Sequence, residues 1–504
     1  MGDLKAGRWG SLVKAWPIAA SALLYQLAYP PFHLSLLIFV ALVPWIASLR
    51  NATGWGAFRS GYLFGILYWL VQFHWVQVLT YRWTGNLGLS LVPYVLGPLL
   101  GALYFAFFAW AAAWAWRVRA PWLIPAFWAG VEVVRSYVPE LAYPWGLAAL
   151  PLSEAPMLIQ LAWLGTIYLV SAWVVAGNLT LALFLTEGWR AARGYALVFF
   201  LLGAFSVARY GTPVFGERTT VVAGQPGVDL AFGDPAKKPE QLRGSVARLN
   251  EDARSLGAAL LILPEGVIVA GDRWPPEPPF AVHPDMPILF GGSRGTGPVY
   301  QSAFAFDGSW RFADKMRLVV FGEYVPLRGV LPFLESFRLP SGDLTPADRV
   351  SAIDVGGLRV GPLLCFETLF YDVTQAQAKN GARLLASMCI DDWYFGTSAP
   401  EQLKASAVWR AVEAGLPLVR SGSLGYSLAV DPRGRVLAEA PLNRTVALEA
   451  RIAIPDRADR FPLIEVFPWA FGLCLLIPVA GLDRVRRIRL RRFPPESSVG
   501  EPSD

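Results

Sequence analysis

Charge is scarce in this sequence, above all in its first half. Asp, Glu, Lys and Arg make up 16% of the 504 residues and apolar side chains 54%, whereas soluble domains carry roughly 25% charged residues. Only 17 charged side chains fall in the first 210 positions, and none within 15–49, 60–81 or 83–116. Uncharged stretches of that length exclude solvated surface helices and suit helices that cross a bilayer, each needing about 20 apolar residues. Cysteine and histidine are equally rare. Cys365, Cys389 and Cys474 supply neither a disulfide framework nor a C-x-x-C pair. His33, His74 and His283 are scattered, which leaves a zinc site unsupported.

The net charge of +6 does not point to nucleic acid, because the arginines gather in short hydrophilic gaps and in the tail RVRRIRLRR at 484–492. No polar face interleaves basic and aromatic residues. Spans are expected near 15–29, 32–49, 58–79, 88–116, 121–137, 157–186 and 194–211, with an eighth at 461–482 whose Glu465 belongs near the interface. The apolar run behind Lys5, Arg8 and Lys14 reads as an uncleaved first helix rather than a signal peptide. With the N-terminus inside, the inner segments hold fifteen basic residues and the short outer loops only Arg82 and Arg135. That asymmetry fits the positive-inside rule and requires an even number of spans. Both termini are then cytoplasmic, and the region between spans seven and eight lies outside. The expected domains are a transmembrane part at 1–212, an outer domain at 216–456, a last helix at 461–483 and a basic tail at 484–504.

In the outer region charge returns and short apolar runs alternate with amphipathic segments. Strands are predicted in TTVVAGQ (219–225), AALLILPE (258–265), PILFGGS (287–293), SAFAFD (302–307), GPLLCFE (361–367), ARLLASMCI (382–390) and LVRSGSLGYSLAVD (418–431), and helices over 236–255 and 400–414. Nearly continuous apolar strands alternating with helices imply an α/β sandwich buried on both faces.

Reactive groups stand at three predicted strand ends: Glu265 in LLILPEG, Lys315 in FADKMRLVVFGEYVP and Cys365 in GPLLCFE. A thiol attacks as its thiolate, which a base, a cation and a helix N-terminus all favour, and TLFYDVTQAQAKNG after Cys365 reads as helical. Alone, a buried cysteine is usually core, a glutamate caps a turn and a lysine is solvated. Together in these contexts they argue for a site. Cys389 reads as strand core.

In order and spacing, LLILPEG, KMRLVVFGEYVP and LLCFE resemble the Glu-Lys-Cys motifs of the nitrilase superfamily. With its membrane frame and late single span the chain resembles the apolipoprotein N-acyltransferases, the membrane-embedded branch of that superfamily. The resemblance implies a nitrilase-like αββα catalytic domain on the outer side of a bacterial inner membrane. It implies transfer of an acyl chain from the sn-1 ester of a phospholipid, through a thioester on Cys365, to the α-amine of a diacylglyceryl-cysteine apolipoprotein. Glu265 would be the base, Lys315 the oxyanion partner and Cys365 the nucleophile. Glu323 and Tyr324 of FGEYVP, Phe366 and Glu367 would support the site. No cofactor is implied, no nucleic-acid partner, and a monomer suffices. Phe366 stands where relatives often have tyrosine, Asp391 and Gln301 where they have asparagine, and 223–235 lacks their Lys-Trp.

Two proline-rich insertions, 272–287 and 328–346, carry Trp274, Phe280, Leu331, Phe333, Leu334 and Phe337. The second is expected to dip into the outer leaflet as a gate, so Leu331, Phe333, Leu334 and, from DDWYFG, Trp393 are taken as possible substrate or membrane contacts. The nearest rival is a membrane-anchored amidohydrolase of the nitrilase type. A transporter is disfavoured, since no duplicated half or membrane-buried acidic pair is apparent.

Overall fold

A computed structural model describes residues 2–330, 332, 339 and 342–481. The N-terminal region is entirely helical: α1 (Gly2–Leu27), α2 (Val43–Leu49), α3 (Gly54–Gln72), α4 (His74–Thr84), α5 (Leu87–Arg117), α6 (Ile124–Tyr137), α7 (Ala162–Glu187) and α8 (Trp189–Tyr210). Helix α5 passes close to α3 because small residues face each other. A Cβ on Gly61 would stand 2.2 Å from the Phe105 carbonyl oxygen, and one on Gly65 2.6 Å from the Ala102 Cα. Such contacts let apolar helices associate without a hydrophobic drive between them.

Helical segments fall in all eight expected stretches, but eight membrane-crossing helices are not what the structure shows. Among the described residues α5, α7 and α8 are long and apolar enough to cross a membrane, and α3 with α4 makes a fourth if the 46° bend between them lies within one span. The 32–49 stretch divides into a 3-10 turn (Ser35–Phe39) and the seven-residue α2. The 121–137 stretch yields a 14-residue α6. Prolines at the first turns of α2 and α6 restart the chain there. Inside α7, Gly165 and Thr166 leave helical geometry, Thr166 at φ +66°.

The second half is a sandwich of two sheets. Its elements are β1 (Glu217–Gln225), α9 (Lys238–Ser255), β2 (Leu260–Ile262), β3 (Ile268–Val269), β4 (Ile288–Arg294), β5 (Tyr300–Phe306), β6 (Trp310–Asp314), β7 (Ile353–Val355), β8 (Leu358–Leu364), α10 (Tyr371–Lys379), β9 (Leu384–Cys389), α11 (Ala399–Ala414), β10 (Leu418–Gly422), β11 (Leu428–Val430), β12 (Val436–Glu439) and β13 (Val446–Ile454). The short apolar α12 (Val466–Cys474) then packs back onto α6 and α7. The first sheet runs β13-β1-β2-β4-β5-β6, with β3 paired to β4, and the second β12-β11-β10-β9-β8-β7. The inner strands β1, β2 and β4, and likewise β8, β9 and β10, are parallel. Both their faces are covered, so their sequences are almost unbroken apolar runs.

Between the sheets lie Val221, Ile262 and Leu289 from the first and Val360, Leu364, Ala386 and Val419 from the second. Each such side chain contributes about 1.5–3 kcal/mol on burial. Leu242, Val246 and Leu249 of α9 cover the outer face of the first sheet. Helices α10 and α11 cover the second, and their core runs on without interruption into the helical half, through Leu403, Ala407 and Val412 to Leu150, Ile167 and Tyr168.

Two local expectations are corrected. The segment after Cys365 does not begin as an α-helix: Cys365–Leu369 is a 3-10 turn, and α10 starts at Tyr371. In the first insertion Phe280 is 6% exposed, its ring 5.4 Å from that of Phe290, whereas Trp274 is exposed and leans on Phe312.

Candidate active site

Glu265, Lys315 and Cys365, fifty residues apart in each step of the chain, meet where the two sheets face each other. Each is carried past the end of a strand. Beyond β2, Leu263 and Pro264 continue the parallel pairing, Leu263 N–H donating to Leu289 and Gly291 N–H to Pro264. Gly291 has to be glycine, because a Cβ there would stand 2.7 Å from the Glu265 Cα. Lys315 follows β6, its N–H donating to the Gln301 carbonyl at 2.8 Å. Cys365 follows β8 with φ +48°, a left-handed conformation rare for a residue with a side chain and costing on the order of 1–3 kcal/mol. It turns the thiol out of the strand.

Glu367 holds that turn. Its Oε2 accepts from the Leu364 N–H at 2.9 Å, while its Oε1 accepts from Met316 at 2.8 Å and Arg317 at 3.1 Å. One carboxyl thus ties the Cys365 turn to the backbone just after Lys315. The Lys315 ammonium donates to Glu323 Oε1 at 2.7 Å and approaches Glu265 Oε1 at 3.4 Å. Glu323 Oε2 also accepts from the Val319 N–H at 2.9 Å, fixing the FGEYVP loop. Lys315 is 1% exposed, and Glu265 and Cys365 are 4% exposed. All three side chains are buried in this conformation. A cavity of about 660 Å³ lies elsewhere, beside Phe215, Arg433 and Arg460.

Burial sets the electrostatics. It raises the Glu265 carboxyl pKa, which Lys315 pulls back and Glu323 raises further. For Lys315 burial opposes the charge, but Glu265, Glu323 and Cys365 outweigh it and hold the ammonium well above its ordinary value. The Cys365 thiol is also pushed well up, by its contact with Cys389, by burial and by the Glu265 charge, with only Lys315 among its principal neighbours pulling it down. Sequence reasoning expected a cation and a helix N-terminus to favour the thiolate. No α-helix begins at the thiol and two carboxylates offset the lysine, so these surroundings disfavour the thiolate.

The other expected residues are placed as follows. Phe366 packs between Tyr143 and Phe370, with centroids at 6.0 and 5.9 Å. Tyr324 is not at the thiol; its hydroxyl donates to the Glu140 carbonyl at 2.8 Å, and the Leu327 N–H donates to the Glu140 carboxylate at 3.2 Å, clasping the FGEYVP loop to the helical half. Trp393 stacks edge-on against Phe232 at 5.2 Å. Asp391 forms a buried two-pronged pair with Arg420 at 2.7 and 2.8 Å, a structural use that its neighbours in sequence do not disclose. The Gln301 side chain favours the ionised form of Glu265. Leu331, Phe333 and Leu334 lie outside the described residues.

Tyr394 is a residue that sequence reasoning passed over. It is buried edge-on against Trp75 of α4 at 5.1 Å. Its hydroxyl pKa is raised well above the usual value, by burial first and then by Cys365, Glu323 and Glu265. The signal was the aromatic next to Trp393 in DDWYFG.

The apolipoprotein N-acyltransferase N-terminal domain family matches residues 21–180, and the carbon-nitrogen hydrolase family residues 219–457. The apolipoprotein N-acyltransferase of Gloeobacter violaceus is 31% identical over 93% of this chain and 94% of its own. This chain belongs to the apolipoprotein N-acyltransferase family. The family's member from Geobacter metallireducens is 28% identical over 94% of each chain. Among solved structures, Nit3 of Saccharomyces cerevisiae, described as a member of branch 10 of the nitrilase superfamily, aligns with 57% of this chain and 98% of its own at 15% identity and a TM-score of 0.36. The acyltransferase assignment rests on the two family matches, one in each half of the chain, and on the relatives that span nearly all of it.

Proposed function

We propose that this protein moves an acyl chain from the sn-1 ester of a phospholipid, through a thioester on Cys365, to the N-terminal α-amine of a diacylglyceryl-cysteine lipoprotein. The observation that carries the proposal is the buried Glu265–Lys315–Glu323 cluster set against Cys365, in a sandwich whose second sheet shares one core with the helical half. Eight membrane segments, some short or broken, would place both termini in the cytoplasm and the sandwich outside the inner membrane. One chain supplies every reacting group, so a monomer is sufficient.

The Glu265 carboxylate takes the thiol proton as the sulfur attacks the ester carbonyl. Lys315 and backbone N–H groups stabilise the oxyanion, worth about 3–4 kcal/mol per donor. Collapse breaks the ester bond, the departing lysophospholipid alkoxide takes the proton from Glu265, and the acyl chain stays on sulfur. In the second half Glu265 removes a proton from the amine as it attacks the thioester, an amide forms and the thiol is regenerated. A raised thiol pKa fits this scheme, since it leaves little thiolate beforehand and makes proton transfer to Glu265 accompany the attack. The buried thiol has to become reachable by lipid, and the clasp between Tyr324, Leu327 and Glu140 is one joint that ties the loop after Lys315 to the helical side.

A membrane-anchored amidohydrolase would use the same triad with water as acceptor. Purified protein given labelled phospholipid and a diacylglyceryl peptide separates the two readings. N-acyl peptide is the expected product; free fatty acid as the sole labelled product would establish the hydrolase.

A further inference from the structure

Beside the nucleophile lies a second thiol that the scheme above does not use. Strands β8 and β9 run parallel, with Leu364 in register with Met388. Cys365 is the first residue past the end of β8 and Cys389 the last residue of β9, so the two follow directly on that pair. Adjacent strands lie about 4.8 Å apart, inside the range of roughly 4.4–6.8 Å between Cα atoms that a disulfide spans. The Cys389 Sγ stands 3.9 Å from the Cys365 carbonyl oxygen, and the two thiols act on each other electrostatically, Cys365 pushed up and Cys389 drawn down. Both are buried, whereas the remaining cysteine, Cys474, ends α12 in the helical half.

The surroundings of Cys389 are polar for a strand core. Ser387 Oγ is 3.6 Å from its sulfur and in turn shares a 2.8 Å hydrogen bond with Thr368 in the nucleophile's turn. The Arg420 guanidinium, fixed by Asp391, also acts on Cys389, and with the Cys365 contact it draws the thiol toward its ionised form against burial. A buried cysteine commonly just fills space. This one is the strand partner of the thiol on which the proposed chemistry depends.

We propose that Cys365 and Cys389 form a reversible disulfide that shuts off the nucleophile under oxidising conditions and protects it from irreversible oxidation. The proposal rests on Cys365 being the nucleophile and on the sandwich facing a compartment outside the reducing cytosol. The oxidant is a peroxide. One thiolate attacks it, the O–O bond breaks, and a sulfenic acid forms as hydroxide leaves. The second thiolate attacks that sulfenic sulfur, the S–S bond forms, and a second hydroxide leaves, so two electrons pass from sulfur to the peroxide. Exchange with an external dithiol restores both thiols. Without Cys389 the sulfenic acid proceeds to the sulfinic acid, which a dithiol does not reverse.

The test uses the purified full chain in detergent, in a Cys474→Ala background, with intact-mass measurement, peptide mapping and the phospholipid-to-peptide assay. Hydrogen peroxide is expected to remove two hydrogens and link the Cys365 and Cys389 peptides. Transfer should fall at least about tenfold and return with dithiothreitol. Cys389→Ala in reducing buffer should transfer within about threefold of its parent, since a small buried apolar residue replaces a small buried thiol. The same peroxide should then add two oxygens to its Cys365 and abolish transfer beyond recovery. If parent and Cys389→Ala gain the sulfinate equally fast and no linked peptide forms, the disulfide is disproved. A linked peptide in a protein whose Cys365 never takes up an acyl chain would support the disulfide and sink the transferase reading alone.

Discussion

The two sheets of the sandwich are built from similar apolar strands but sit in different company. The first, which carries Glu265 and Lys315, has one amphipathic helix over its outer face, and α9 leaves most of its charged side chains in water. The second, which leads into Cys365, is covered by α10 and α11, and α11 is buried at all but three of its sixteen positions. The proposed nucleophile is thus rooted in the helical half, while the base and the lysine belong to the sheet farther from it. Under the proposed function this division serves lateral delivery of a lipid, because the sulfur would keep a fixed relation to the helices along which an acyl chain arrives.

The anchoring of the second sheet turns on two buried side chains of α11. Arg410 donates to the Leu369 carbonyl, at the end of the nucleophile's turn, at 2.7 Å and pairs with Glu413 at 2.8 Å. Glu413 in turn accepts from the Ile167 N–H at 2.7 Å, an amide freed by the break at Gly165 and Thr166 in α7. Arg410→Met leaves Glu413 buried without its cation, and breaking a buried pair in this way costs about 3–5 kcal/mol. The expected result is a large fall in the thermal unfolding midpoint in detergent. Loss confined to activity, with stability unchanged, would show that the joint is not what ties the nucleophile to the helices.

Lys315→Met probes the other sheet. Removing one oxyanion donor typically lowers turnover about 100- to 1,000-fold, and it also strands Glu265 and Glu323 in a buried site. Transfer should fall by at least that factor in the phospholipid-to-peptide assay, whereas Leu249→Ala under α9 should weaken the fold and leave the rate of the surviving protein near the parent's.

Glu367 bridges the two sheets, and pH gives a finer test of it. Burial raises its pKa to about 7, against the opposing N–H bonds, and Asp392 and Glu413 are raised to about 7 by burial as well. A carboxyl whose folded pKa is raised contributes stability that is fully present below its unfolded value near 4.5 and is lost as pH climbs through about 7. The unfolding midpoint is therefore expected to fall between about pH 5 and pH 7, and Glu367→Gln should flatten part of that slope. An unchanged slope would place Glu367 outside the group of carboxyls that titrate there.

How much of this was legible beforehand follows from the kind of signal involved. Long apolar runs with reactive ends, AALLILPE and GPLLCFE, announced β2 and β8 and through them Glu265 and Cys365, although only three residues of the first run pair as strand. Strands β3, β7 and β12 have two to four residues, too few for a period of two to emerge. The bends at Phe73 and Gly165 were hidden because hydropathy records that a stretch is apolar and not whether its helix is continuous. The contact between Cys365 and Cys389 depends on strand register, and the Glu413 cap on Ile167 links positions 246 residues apart. Neither has a local trace.

The most direct measurement is the intact mass of the purified protein after exposure to phospholipid without an acceptor peptide. One acyl group should appear, map to Cys365, be absent from Cys365→Ser and disappear when a diacylglyceryl peptide is added. Transfer to the peptide with no acyl group ever found on Cys365, or transfer retained by Cys365→Ser, would contradict the account.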